Sequence, residues 1–219
     1  MTTVVWGATG HDGGDSYGEF AQTLDITDVS TGWTDMQAVK NKAQKWVFDA
    51  LIDIRKRLPF DLLGIDSDNG SEFINAHLLR YYKEEGIIFT RTRSYRKNDN
   101  CYVEQKNYSV VRRTVGYMRY DTSEELNVLN DIYGYLRLYT NFFQPVMKLI
   151  EKRRVGSKIT KRYDTPKTPY KRVLEVEHIP QKNKEQLQQQ YALLNPAALK
   201  RSITRLQEKL QTLATLKKH

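Results

Sequence analysis

Asp68 and Glu104 have 35 residues between them in a chain of 219, and each lies where a carboxylate would be held in place. Asp68 follows the apolar run Leu62-Leu63-Gly64-Ile65, which reads as a buried strand, and precedes the turn signal Asn69-Gly70. Glu104 comes soon after Asp99 and Asn100, either of which suits the N-cap of the helix that follows. A carboxylate at a strand's end and another on a helix's first turn can meet around a hard cation. Mg²⁺, or Mn²⁺ in its place, is held by one or two carboxylates together with water and substrate phosphate oxygens.

Basic and amide groups crowd the same stretch. Arg91, Arg93, Arg96 and Lys97 lead up to Glu104; Asn107 falls one turn after it on the same helix face, and Arg112 two turns on. Such side chains position a DNA backbone while reading little of its sequence. Tyr95 and Tyr102 could stack on an unpaired base; as isolated residues they are more often half-buried packing groups.

The tract Asp68-Asn69-Gly70-Ser71-Glu72-Phe73, the 35-residue interval and Val103-Glu104-Gln105-Lys106-Asn107 resemble the last two acids of the Asp-Asp-35-Glu transposases and retroviral integrases. The likeness is greatest to the integrase-type catalytic domains of bacterial insertion-sequence transposases, whose catalytic loop Tyr95-Arg96-Lys97-Asn98-Asp99-Asn100 also resembles. It covers about residues 11 to 145. It implies a ribonuclease H-like α/β core with a mixed sheet, two Mg²⁺ or Mn²⁺ ions, Asp68 and Glu104 as catalytic metal ligands, and strand cleavage and joining at mobile-element ends and a DNA target. It also implies a homo-oligomer when active.

Two positions depart from that pattern. The family's first acid belongs four residues before the His of His11-Asp12-Gly13-Gly14, and that position is Gly7. Met1 to Ala8 does not otherwise resemble the family, so the opening strand is expected to be lost or diverged. Asp12 lies five residues further on, about 16 Å along a strand and on its opposite face. Asp15 is farther still, Asp66 breaks the interval, Asp28 reads as a turn residue and Glu72 as part of a helix start. Several family members carry a Lys or Arg seven residues after the Glu, where this chain has Val111. The missing first acid favours a catalytically impaired DNA-binding remnant for this chain, and everything else favours a DNA strand transferase.

The elements needed to position these groups follow in order. Phe20 to Asp28 and Trp33 to Val39 read as an antiparallel hairpin around Val29-Ser30-Thr31-Gly32. Ala43 to Leu58 has helical apolar spacing and stops at Pro59. A strand at 62–66, a helix around 73–84 and a strand at 87–89 form a unit that favours parallel pairing. Helices are expected near 101–119 and 123–142.

Charge divides the chain near Pro145. Residues 1–145 carry 17 basic and 20 acidic side chains, whereas 146–219 carry 18 and 6, a net of +12. A basic appendage on a near-neutral core is the footprint of a polyanion-binding protein, although a solvated helical surface has the same composition. The stretch 152–162, with Arg153, Arg154, Lys158, Lys161 and Arg162, reads as an extended basic arm for DNA. Thr165-Pro166-Lys167-Thr168-Pro169-Tyr170 reads as a breaker cluster. Pro196 to Lys217 reads as an amphipathic helix with Leu199, Ile203, Leu206, Leu210, Leu213 and Leu216 on one stripe, suited to a partner or to its own core. The single Cys101 excludes an internal disulfide and a Cys-rich zinc site. No apolar run reaches the ~20 residues of a membrane span, and the N-terminus lacks a signal-peptide layout. A cytoplasmic protein is expected.

Overall fold

A computed structural model describes residues 3–11, 14, 17–67, 76–91 and 107–217. Its five-stranded sheet has the order β3-β2-β1-β4-β5, formed by β1 (Thr3–Gly10), β2 (Gln22–Asp28), β3 (Thr34–Val39), β4 (Gly64–Ser67) and β5 (Ile88–Arg91). β1, β2 and β3 run antiparallel, while β4 pairs parallel with both β1 and β5. An opening strand, expected to be lost or diverged, is present as β1 and sits at the centre of the sheet. Val4, Val5 and Trp6 supply β-favouring residues there, and the two glycines that follow hide the pattern in sequence.

The β2–β3 turn is fastened by Asp28, whose Oδ2 accepts from Thr31 N at 2.7 Å and Thr31 Oγ1 at 2.6 Å. Gly32 takes φ 76°, a left-handed conformation that favours glycine. Alternation along β2 then sorts its side chains. Leu24 and Ile26 face α1 (Gln44–Arg57), joining Val47, Leu51, Ile54, Ile65 and Tyr82 in one core. α2 (Ala76–Glu84) adds Leu78 to it.

A second core lies on the opposite face. Met36 and Ala38 of β3 pack there with Val128, Leu129, Ile132 and Leu136 of a long helix, α4 (Ser123–Phe143). A π-helical segment, Asn107–Arg112, and the single turn α3 (Arg113–Val115) contribute Val110, Val111 and Val115. The helix expected near 101–119 is thus, over its described part, a π-helical turn that breaks at Gly116. α4 begins with a capping box in which Thr122 Oγ1 accepts from Glu125 N at 3.2 Å and Glu125 Oε2 accepts from Thr122 N at 2.9 Å.

Three later helices complete the body. The breaker cluster at 165–170 is in fact a helix start: Thr168 caps α5 (Pro169–Glu175) and Pro169 occupies its first turn. α6 (Gln181–Leu193) and α5 bring Tyr170, Val173 and Leu187 onto Trp33, Phe60 and Phe142. α7 (Pro196–Leu216) buries Ile203, Leu210 and Ala214 against α4, so its apolar stripe is spent on this chain's own core. Leu216, the last residue of the expected stripe, is exposed. Lys217 fastens the end of α7 to the start of α4, donating to Asp121 Oδ1 at 2.6 Å and Glu125 Oε2 at 2.7 Å.

The edge strand β3 is closed by side chains of α4. Asn141 accepts from Thr34 N at 2.9 Å and donates to Thr34 O at 2.7 Å. Asn130 does the same for Ala38, at 2.8 and 3.1 Å. The two asparagines are about three helical turns apart, which matches four residues of strand.

The basic arm is folded and exposed. It folds into an antiparallel hairpin of β6 (Leu149–Val155) and β7 (Lys158–Tyr163), closed by Gly156-Ser157 with Gly156 at φ 60°. Among the described residues no helix is long and apolar enough to cross a membrane.

Candidate functional site

Gly7 is the fifth of the eight residues of β1, at mid-strand. It pairs with Asp25 of β2, which in turn pairs with Met36 of β3. Cross-strand partners share a face, and Met36 belongs to the core on the α4 side. Asp25 therefore presents a carboxylate, 1 % exposed, on the sheet face to which position 7 of β1 also belongs. Sequence reasoning passes over Asp25 while weighing Asp12, Asp15, Asp28, Asp66 and Glu72. The signal was available in Thr23-Leu24-Asp25-Ile26-Thr27, whose alternation places an acid among the polar positions of a strand.

On the other side of β1, Trp6 pairs with Ser67, and Ser67 pairs with Arg91 at the end of β5. Ser67, the residue before Asp68, and Arg91 are thus at one level of the sheet. Open α/β sheets bind ligands beyond the carboxyl ends of parallel strands. Asp68, Arg93, Arg96, Lys97 and Glu104, with Tyr95, Tyr102 and Asp12, lie outside the described residues. Of Arg91 and Asn107 the backbone is placed, at the end of β5 and the start of the π-helical segment. Among the described residues no group of three or more His, Cys, Asp or Glu could hold a metal.

Arg112 is half-buried, with its guanidinium 4.7 Å from the centre of the Tyr117 ring. Val111 is buried in the α4-side core, so its side chain is a packing group. π-helical turns of this kind occur often at functional sites.

A polar network occupies the same sheet face as Asp25. His11 Nε2 lies 2.7 Å from Thr23 Oγ1, which lies 2.7 Å from the Tyr133 hydroxyl. His11 also packs its ring 5.3 Å from Tyr120, and its backbone bonds to Ala21 and Tyr120. Burial pushes the Tyr133 phenol above its ordinary range, with the Asp25 charge adding to the rise and Arg112 opposing it. Tyr120 is pushed up to about 12, first by burial and then by Glu125. Both phenols thus stay neutral hydrogen-bonding groups.

A second buried acid, Asp35, has a different setting. Its Oδ1 accepts from Arg57 at 2.9 Å, and Arg137 stands 3.7 Å from Oδ2. Burial drives its carboxyl upward while the two guanidiniums pull it back. With Gln37, Asn130 and Gly134 these groups line a cavity of about 330 Å³ between β3, α1 and α4. It is an ion-paired joint between three elements, on the far side of β2 from β1.

The basic hairpin carries Arg153, Arg154, Lys158, Lys161 and Arg162, all exposed and remote in sequence from the acids.

No family model matches the chain. It is 44 % identical over 162 residues to an uncharacterised protein, y4rM, of Sinorhizobium fredii, a match covering 74 % of this chain and 46 % of the relative. The chain thus spans about half the length of the curated relative it matches. Among solved structures it is similar to the catalytic core domain of BIV integrase, with a TM-score of 0.53 and 16 % identity over 80 % of this chain and 95 % of that one. The HTLV-2 integrase catalytic core in complex with magnesium gives a TM-score of 0.48 and 14 % identity over 64 % and 85 %. The fold is that of an integrase catalytic core, ribonuclease H-like.

Proposed function

We propose that this chain performs divalent-metal-dependent phosphoryl transfer on DNA, cutting and joining strands at the ends of a mobile element. Asp68 and Glu104 serve as metal ligands, and Asp25 supplies from β2 the carboxylate that Gly7 lacks on β1. The observation that carries this reading is the Gly7–Asp25 pairing, on the sheet face packed against the helical turn that follows Glu104. Cross-strand neighbours have Cβ atoms about 4.5–5.5 Å apart, so replacing an acid on one strand by its partner on the next shifts a carboxylate by one strand spacing.

Bound Mg²⁺ or Mn²⁺ would lower the pKa of the attacking water or 3′-hydroxyl and offset charge on the leaving oxygen. Arg91, Arg93, Arg96, Lys97, Asn107 and Arg112 would hold the DNA backbone beside the acids, and a homo-oligomer would bring two element ends together. A second reading is a DNA-binding remnant without catalysis, favoured by Gly7, which offers no side chain of its own.

Strand transfer with Mg²⁺ and with Mn²⁺, on duplexes bearing the ends of the element that encodes the chain, separates these readings. Asp68→Asn and Asp25→Asn should each lower the rate about a thousandfold or more, with Asp12→Asn close to wild type. A wild-type chain that binds the duplexes yet transfers no strand with either metal supports the remnant. Activity lost in Asp12→Asn and kept in Asp25→Asn overturns the assignment of Asp25.

A further inference from the structure

The β6–β7 hairpin is built as a free-standing blade on a rigid mount. At its base Asp164 accepts from Lys148 N and from Arg172 Nη1, each at 2.6 Å, and Arg172 also donates to Val146 O at 2.9 Å. Lys148 Nζ reaches back to Val29 O at 2.7 Å, and to Ser30 O, at the β2–β3 turn. The Arg172 guanidinium holds the Asp164 carboxyl below its ordinary range, with the Lys148 amide adding to the effect. Beyond this mount every residue from Leu149 to Tyr163 is exposed. An isolated two-stranded ribbon is marginal by itself in water, so the mount is what holds it.

Its cations are distributed evenly, with one acid, Glu151, on one face. Cross-strand pairing puts Lys152 opposite Lys161 and Arg154 opposite Ile159 on one face. Glu151 opposite Arg162, Arg153 opposite Thr160 and Val155 opposite Lys158 occupy the other. Each face thus bears three cations, and among the described residues none of the six forms an ion pair. Like charges directly opposite each other weaken a ribbon, and Lys152 facing Lys161 is such a pair. A polyanion relieves that repulsion.

Resting on the reading that DNA is the partner, we infer that the hairpin enters the major groove of duplex DNA tip first, with one face toward each flanking phosphate ridge. The major groove, about 12 Å wide and 8.5 Å deep, admits a two-stranded ribbon. A strand of seven residues extends about 24 Å, more than the groove's depth, so the tip can reach the groove floor while the mount stays outside. Three cations on each face fit two phosphate walls, whereas a ribbon lying flat needs them on one face. Contacts of this kind set position and affinity more than sequence choice.

The test is binding of the full chain to a duplex in EDTA, followed by fluorescence anisotropy between 50 and 200 mM salt. Each lost phosphate contact lowers the log–log salt slope by about 0.9. The triple variant Lys152→Gln/Arg154→Gln/Lys161→Gln and the opposite-face triple Arg153→Gln/Lys158→Gln/Arg162→Gln should each lower it by about 2.7, so that affinity falls about 40-fold less across that salt range. Lys182→Gln/Lys200→Gln/Arg201→Gln removes equal charge from exposed helical positions and should leave the slope nearly unchanged. Methyl green, in the major groove, should compete with the wild-type chain, and distamycin, in the minor groove, should not. A slope sensitive to one face alone overturns tip-first entry, and one no more sensitive to the hairpin triples than to the helical triple overturns the hairpin as a DNA contact. Because no metal is present, absent strand transfer with these binding results intact would refute the catalytic reading and leave this one standing.

Discussion

The two faces of β2 are built from opposite materials. Toward α1 it offers Leu24 and Ile26, which vanish into an apolar core with Leu51 and Ile54. Toward α4 it offers Thr23, Asp25 and Thr27, all buried and all polar. The first arrangement needs only complementary shape. The second must satisfy every buried polar atom, because each one left unmade costs about 1–3 kcal/mol. A fold that maintains the second beside the first has a use for it. β2 thus carries an apolar face that packs and a polar face that places a carboxylate next to β1.

That contrast can be broken in graded steps. The largest effect should come from Asp25→Asn, which should remove about a thousandfold in strand-transfer rate while leaving the thermal midpoint unchanged or higher. A midpoint that falls in step with activity would make Asp25 a structural group, and the two faces would then differ in composition only. Leu51→Ala, on the apolar face, should do the reverse. Denaturant unfolding should show a loss of about 2–5 kcal/mol, with the rate per folded molecule preserved.

Smaller effects probe the supports of the polar face. Thr23→Val takes a partner from both His11 and the Tyr133 hydroxyl, and should lower stability by about 1–3 kcal/mol. Tyr133→Phe made on top of it should recover part of that loss, and no recovery would dissolve the network into separate contacts. The smallest effect belongs to Lys217→Met, which removes the clamp at the start of α4. Hydrogen bonds from Lys217 and then Arg119 hold the Asp121 carboxyl below its ordinary 3.8. The stabilisation by Asp121 is therefore present above about pH 3.8 and lost as pH falls through the lower, folded value. Lys217 itself is raised above 10.5 by Asp121 and Glu125 against the pull of burial, so its share persists until pH rises past that folded value. Wild type should exceed Lys217→Met by about 0.5–1 kcal/mol at pH 7, and the gap should close in acid. A gap that stays constant down to pH 2 would assign the effect to packing.

Much of the scaffold was legible because its periodicities are unopposed. Trp46, Val47, Ala50, Leu51 and Ile54 mark α1, and Asp28 with Gly32 marks the turn between β2 and β3. β1 escaped because Gly7 and Gly10 flank the short Ala8-Thr9 and interrupt its alternation, so a central strand read as lost or diverged. The hairpin at 149–163 escaped because Lys and Arg are poor strand markers, and only Gly156-Ser157 signals the turn. At the site, the spacing of Asp68 and Glu104 spoke for those two acids alone. The alternation of β2 marks Asp25 as an acid on the polar face, but only the pairing sets it beside Gly7, since lateral neighbours in a sheet leave no fixed interval in sequence.

The amide clasp along β3 bears on how copies of this chain meet. An unpaired strand edge is a template for any other strand that drifts past it. Here Asn130 and Asn141 already hold the N–H and C=O of Ala38 and Thr34, so a visiting strand would have to displace two bidentate amides before making its first bond. Copies are thereby kept from zipping into a continuous sheet along this margin. Copies crowded together at high local concentration would thus find β3 shut to stray strands.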